Sequence, residues 1–178
     1  MFEDFLKTII RSIKLDKTLY KDPNTFREMS LYYAGLIMML DGIAGAIALS
    51  TLYKTNIIFS GFTALISWLV WGLLIYVVGI KLFPDPGTEG NFKRVLVMVG
   101  LAHAPGLFRF FVFMPSLVVP IVFLTQFWIF AALIIGVRET LNFKSNFKSA
   151  GVIIIAFLII SIVSLSFVMD KINTISIS

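Results

Sequence analysis

Four polar side chains interrupt otherwise apolar runs: Asp41 in "MMLDGIAG", His103 and Arg109 in "LAHAPGLFRF", and Gln126 in "LTQFW". A carboxylate, an imidazole and an amide brought together could pass a proton, hold an ion or seat a small solute. The same groups could instead form hydrogen bonds between helices and fix their packing, at about 1 kcal/mol each or less. Pro105 follows the histidine by two residues. It cannot donate to the carbonyl of Leu101, so a helix through this stretch must bend or break there.

What would position these groups is set by composition. The chain has 178 residues, of which 58% are hydrophobic and 14% charged, with a mean hydropathy of +0.95. A water-soluble domain carries about a quarter charged residues. The excess of apolar residues points to a surface facing lipid. With no cysteine and one histidine, disulfides, thiolate nucleophiles and a histidine-based metal site are disfavoured. No GxSxG or HExxH pattern and no paired carboxylates occur within the apolar runs. The expectation is a non-enzyme without a cofactor.

A bilayer core of about 30 Å needs roughly 20 apolar residues of helix, and only helices satisfy the backbone there. Five runs qualify: Leu31 to Tyr53, Ile57 to Ile80, Val95 to Met114, Leu117 to Val137, and Gly151 to Met169. The fold class expected is therefore all-α, with five transmembrane helices in residues 31–178 behind a cytoplasmic segment of residues 1–30. Twelve basic residues fall on one side: Lys7, Arg11, Lys14, Lys17, Lys21 and Arg27 before the first span, Lys81, Lys93 and Arg94 in the second connection, and Arg138, Lys144 and Lys148 in the fourth. Three fall on the other: Lys54, Arg109 and Lys171. The asymmetry places the N-terminus in the cytoplasm and the C-terminus outside a cell membrane. It also turns the net charge of +5 toward anionic lipid rather than nucleic acid.

In "MFEDFLKTIIRSIKL", Phe2, Phe5, Leu6, Ile9, Ile10 and Ile13 follow helical spacing, with charges on the opposite face. This pattern suits an amphipathic interfacial helix or a helix packed on the protein itself, and charges rule out a signal-peptide core. Asp22-Pro23-Asn24 ends it. Depth can be counted along the spans at 1.5 Å per residue. Asp41 lies about ten residues into span 1, His103 about eight into span 3 and Gln126 about nine into span 4 from the other side. All three reach the midplane, where a carboxylate must be protonated, paired or lined by water. Arg109 counts to roughly 21 Å from the inner surface, from which it can snorkel outward. Small residues at Gly42, Ala46 and Ser50 give span 1 a face for close packing.

An echo links the two later hairpins. Span 2 ends "WGLLIYVVGIK" and span 4 ends "WIFAALIIGVR"; the following spans open with "NFKRV" and "NFKSA". Parallel repeats about an axis along the membrane normal would give this pattern. The tandem "NFKS" at Asn142 to Ser149 would put Phe143 and Phe147 one helical turn apart.

Taken in order, "IKLDKTLYKDPNTF", "GTEGNFKRVL", "GLAHAP" and "IIGVRETLNFKS" resemble the Yip1 family of small multi-pass membrane proteins, in its compact prokaryotic form. The resemblance spans about Ile10 to Val168. It implies five transmembrane helices with a cytosolic N-terminus and makes Pro105 an architectural break. Eukaryotic relatives are associated with Rab-type GTPases and vesicle traffic, but the short segment before span 1 offers little of that partner surface. For prokaryotic relatives the resemblance implies no settled activity, and Asp41 is outside its pattern. Two functions follow. One is a membrane scaffold or organiser acting through a cytoplasmic face of the amphipathic helix, the "PDPGTEG" turn with Glu89, and Arg94, Arg138 and Glu139, with a Glu89–Arg138 pair between the turns. Its partners would be anionic lipids, a second copy of the chain, or another membrane or cytoplasmic protein. The other is a channel or transporter for a proton, ion or solute built on Asp41, His103 and Gln126.

Overall fold

The computed structural model describes residues 2–112 and 114–177, without the side chains of Phe2, Glu28, Ser164 and residues 166–177. The places expected for the Phe2 side chain and for the chain end at Ser178 lie outside this description. Every regular element among the described residues is helical: α1 (Phe2–Ile13), α2 (Glu28–Ser50), α3 (Ile57–Tyr76), α4 (Phe92–Ala102), α5 (Pro115–Thr140) and α6 (Asn146–Ile177). Short 3-10 turns cover Lys17–Tyr20, Pro23–Phe26 and Ala104–Phe111. Five segments are long and apolar enough to cross a membrane: Met29–Ser50, Ile57–Leu82, Phe92–Phe111, Pro115–Thr140 and Asn146–Val163. Each begins within five residues of its expected start.

The helix boundaries have local causes. Asn56 and Asn91 accept from the backbone N–H groups of Phe59 and Arg94, capping α3 and α4. Such caps satisfy N–H groups that a helix start leaves unpaired. Asp16 and Asp22 do the same for the two short turns before α2. At the end of α3 the helix widens into a π-helical stretch, Val77–Leu82. Asn91 and Asn146, equivalent in the sequence echo, play different parts. Asn91 caps α4, whereas α6 is preceded by Ser145, whose hydroxyl accepts from the Phe147 N–H. The chain turns at Asn142, at φ 56°. Phe143 therefore precedes the helix and is buried, while Phe147 is exposed. The two do not share a helical face.

α4 is the centre of the bundle. Its residues Val95 through Ala102 are all buried, and a helix apolar all round must be covered all round. α2, α3 and α5 pack against it. Approach is close where a side chain is missing. A Cβ on Gly100 would lie 2.6 Å from Ala34 Cβ and 2.7 Å from its carbonyl oxygen. One on Gly42 would lie 2.5 Å from Ala64 Cβ and 2.8 Å from Ser60 oxygen. The Gly42 end of the small-residue stripe thus seats α2 on α3 within the chain.

The N-terminal segment is part of this packing. Phe5 is buried, Ile9 and Ile13 pack on the core, and Leu6 and Ile10 remain exposed. Phe5 meets Tyr33 with ring centroids 5.2 Å apart. Farther along, the Trp128 indole donates to the Ile13 carbonyl at 2.9 Å. Leu19 and Tyr20 then return along the bundle, fully buried.

Candidate functional site

Proline at 105 shapes the site. α4 ends at Ala102, and the chain continues as 3-10 turns from Ala104 to Phe111. The Leu101 carbonyl, denied its partner at Pro105, accepts a hydrogen bond from the Ser12 hydroxyl of α1. Phe108 stacks on Trp128 at 5.4 Å, next to the indole that holds Ile13. A break in the third of the long apolar segments is thus closed by the short helix α1.

The 3-10 turns lie directly on α2. A Cβ on Gly106 would fall 1.9 Å from Asp41 Oδ1, so glycine is required for this approach. Three residues on, Arg109 faces the same carboxylate. Its Nη1 donates to Asp41 Oδ1 at 3.0 Å, its Nε to Thr125 Oγ1 at 2.9 Å, and its Nη2 to Gln126 Oε1 at 3.1 Å. The Thr125 hydroxyl donates in turn to the Ile121 carbonyl at 2.8 Å. Asp41 is buried and Arg109 largely so, with side chains 9% and 11% exposed. One planar fork therefore ties α2, the 3-10 turns and α5 together, the geometry for which guanidinium is suited.

This differs from the expected snorkelling of Arg109. Counting depth at 1.5 Å per residue assumes a continuous α-helix, and the break removes that assumption. The 3-10 turns cross α2 instead of carrying Arg109 outward. Asp41, Arg109 and Gln126 are brought together, with the arginine as the link between the other two. His103 is not bonded to Asp41. Its Nδ1 lies 2.8 Å from the Val99 carbonyl of its own helix. Thr125 is a member that the sequence reading omitted; a hydroxyl adjacent to Gln126 in an apolar span was its signal. Among the described residues no group of three or more metal-ligating side chains occurs.

A second polar region sits at the end of the bundle that carries the N-terminal segment. Glu139 is buried and lies 3.0 Å from Lys21 and 3.8 Å from Arg138. The expected Glu89–Arg138 pair is not formed: Arg138 faces its neighbour, and Glu89 is exposed. The two turns are joined by other residues. Lys148 Nζ donates to Asp85 Oδ1 at 2.6 Å, the Lys144 N–H to Asp85 Oδ2 at 3.3 Å, and Asn142 Nδ2 to the Gly87 carbonyl at 3.3 Å. The Lys148 hydrogen bond, foremost, holds the Asp85 carboxyl below its ordinary range. Arg94 places its guanidinium 4.6 Å over the Phe26 ring. Between α1, α2 and the start of α4 opens a cleft of about 1010 Å³, whose lining includes Lys7, Arg11, Arg27, Lys93, Asp4 and Asp22.

Five apolar spanning helices, a broken third span and a basic end define a small multi-pass membrane protein. The Yip1 domain model matches residues 17–168, and the chain belongs to that family. No curated protein and no solved structure matches the chain.

Proposed function

We propose that the protein is a non-enzymatic organiser or scaffold of the cell membrane, acting through its basic end. One observation carries this reading: the midplane carboxylate is taken up by Arg109, which is itself bonded to Thr125 and Gln126. A relay needs a group free to exchange its partner or proton, whereas a pair held by a three-way fork works as a clamp. The polar layer then sets the packing, and the activity lies at the surface.

The basic end is the cytoplasmic one in this reading, because it collects twelve of the fifteen basic residues. α1 acts there as an amphipathic helix at the membrane boundary. Phe5 and Ile9 anchor it to the bundle, while Leu6 and Ile10 stay exposed for insertion among lipids. Lys7, Arg11, Arg27 and Lys93 around the adjoining cleft attract anionic headgroups.

The test joins two measurements on the full chain in liposomes. An environment-sensitive fluorophore at Ile10→Cys should report an apolar surrounding, more strongly with anionic than with zwitterionic lipid. Proton flux with Asp41 intact should equal that of empty liposomes. A pH-dependent flux that Asp41→Asn abolishes would overturn the scaffold in favour of the channel or transporter.

A further inference from the structure

Beside Gln126, α3, α4, α5 and α6 border a cavity of about 390 Å³. That is within the range of about 300–1,000 Å³ typical of small-molecule sites. Its walls are Trp71, Phe130, Leu133 and Ile153, and its rim is formed by residues such as Phe123, Phe127 and Phe157. The rim residues are exposed on membrane-spanning helices, so the opening faces the hydrocarbon layer. Two of the lining residues are polar, His103 and Gln126.

The hydrogen bonds these two already make define what they still offer. The Val99 carbonyl can only accept, so His103 Nδ1 carries a hydrogen, and the tautomer with that single hydrogen presents Nε2 as an acceptor. The Arg109 guanidinium can only donate, so Gln126 presents its oxygen there and keeps its NH2 group as a donor. The His103 ring interacts with Asp41 through space only, and among the described residues neither His103 Nε2 nor the Gln126 amide nitrogen has a hydrogen-bond partner. Lipid tails supply none, and an unmet polar group in hydrocarbon is costly. The cavity therefore combines one acceptor and one donor with an apolar aromatic sleeve.

We infer that this cavity binds a membrane amphiphile with a small hydroxyl head, of the long-chain alcohol or diacylglycerol type, entering from the bilayer. A single hydroxyl donates to His103 Nε2 and accepts from the Gln126 NH2, while the chain lies against the Phe123, Phe127 and Phe157 rings. A headgroup bearing a fixed charge fits poorly, because no Asp, Glu, Lys or Arg side chain lines the cavity. This site is separate from the basic end and does not depend on the scaffold reading.

The experiment uses the full chain in nanodiscs and a diazirine-bearing hexadecanol as the photoprobe. Mass spectrometry should find label on residues 123–130 and 153–157. Excess hexadecanol or diolein should compete; hexadecane, with no head, and hexadecyl methyl ether, which only accepts, should not. His103→Leu should reduce labelling at least fivefold, and Ile154→Trp, placed at the exposed rim, should abolish it by filling the cavity. Thermal unfolding of both variants near that of the parent protein shows that the loss is one of binding. Equal competition by hexadecane, or full labelling in both folded variants, overturns the proposal. So does an Ile154→Cys disulfide dimer that forms in native membranes without photolabel, because a second copy then occupies the face.

Discussion

Removing Arg109 should unfasten three elements at once. In Arg109→Met the Asp41 carboxylate loses its ion pair at 3.0 Å, and Thr125 and Gln126 each lose a donor. Breaking a buried pair by deleting one member costs about 3–5 kcal/mol in soluble proteins. Interhelical hydrogen bonds in membranes average only about 0.6 kcal/mol, since the unfolded chain finds partners in the bilayer. The side chains here are 11% and 9% exposed, which supports a value near the lower end of the first range, about 3 kcal/mol. Asp41→Leu should cost a similar amount by stranding the guanidinium. The double variant Asp41→Leu/Arg109→Met leaves neither charge buried and should lie within about 2 kcal/mol of the parent protein, because apolar replacement of both partners is often nearly neutral. The cycle then yields a coupling of about 4 kcal/mol, from about 6 for the summed single losses less about 2. Asp41→Asn keeps an oxygen acceptor and should cost about 1–2 kcal/mol. Reversible unfolding in mixed micelles, followed by tryptophan emission, measures all four. A coupling below about 0.5 kcal/mol would refute the clamp, because independent sites add to within that margin.

Gly100→Ala should destabilise by about 3 kcal/mol, since its Cβ would meet the Ala34 backbone; Gly151→Ala, with nothing within 4 Å, should be neutral or stabilising by up to about 1 kcal/mol, and the same unfolding assay compares them. Ser12→Ala should cost about 1–3 kcal/mol by leaving the Leu101 carbonyl without its donor, and hydrogen exchange should rise in α1 before it rises in α2. The Thr18 hydrogen bonds and then Arg11 hold the Asp16 carboxyl down at about 2, from 3.8. A depressed carboxyl stabilises the folded state above its unfolded value, so that contribution is lost as pH falls from about 4 to 2. Pepsin, which is active in that window, should cut the α1–α2 connection progressively faster over it, and a flat profile would contradict the assignment. If the basic end is cytoplasmic, Lys7→Cys, Glu89→Cys and Ser145→Cys should resist an impermeant thiol reagent on intact cells while Lys54→Cys reacts; labelling of Lys7→Cys from outside would reverse the topology.

The spans were readable because hydropathy is a property of long windows, insensitive to single residues. Asp41 was readable for the opposite reason: one carboxyl in twenty apolar residues stands out, and its burial was expected from its cost. Its partner was not. Pro105 announced a break but not the direction of the chain after it, and the depth of Arg109 was counted along a helix that ends at Ala102. Ser12 was likewise not legible in its role. It is the polar residue on the helix face of Phe5 and Ile9, which fits a group carried inward to meet a backbone carbonyl, but the location of that carbonyl depends on tertiary packing. The turn contacts failed for a similar reason. Charge pairing between the two loops was expected, and it occurs, but through Asp85 and Lys148, because loop backbone geometry decides which acid faces which base.

The Ser12 contact also bears on how the chain is made. α1 leaves the ribosome before the spans it packs on, yet its carbonyl acceptor lies 89 residues later and the indole that holds Ile13 lies 115 residues later. At about 5–20 residues per second, the helix waits on the order of ten seconds before both partners exist. Until then the first two spans are inserted without their final neighbour, and the Ser12 hydroxyl is without its acceptor. α1 is therefore made before the spans and fixed after them, so a bulky group attached to it acts on the closing step of assembly rather than on its start.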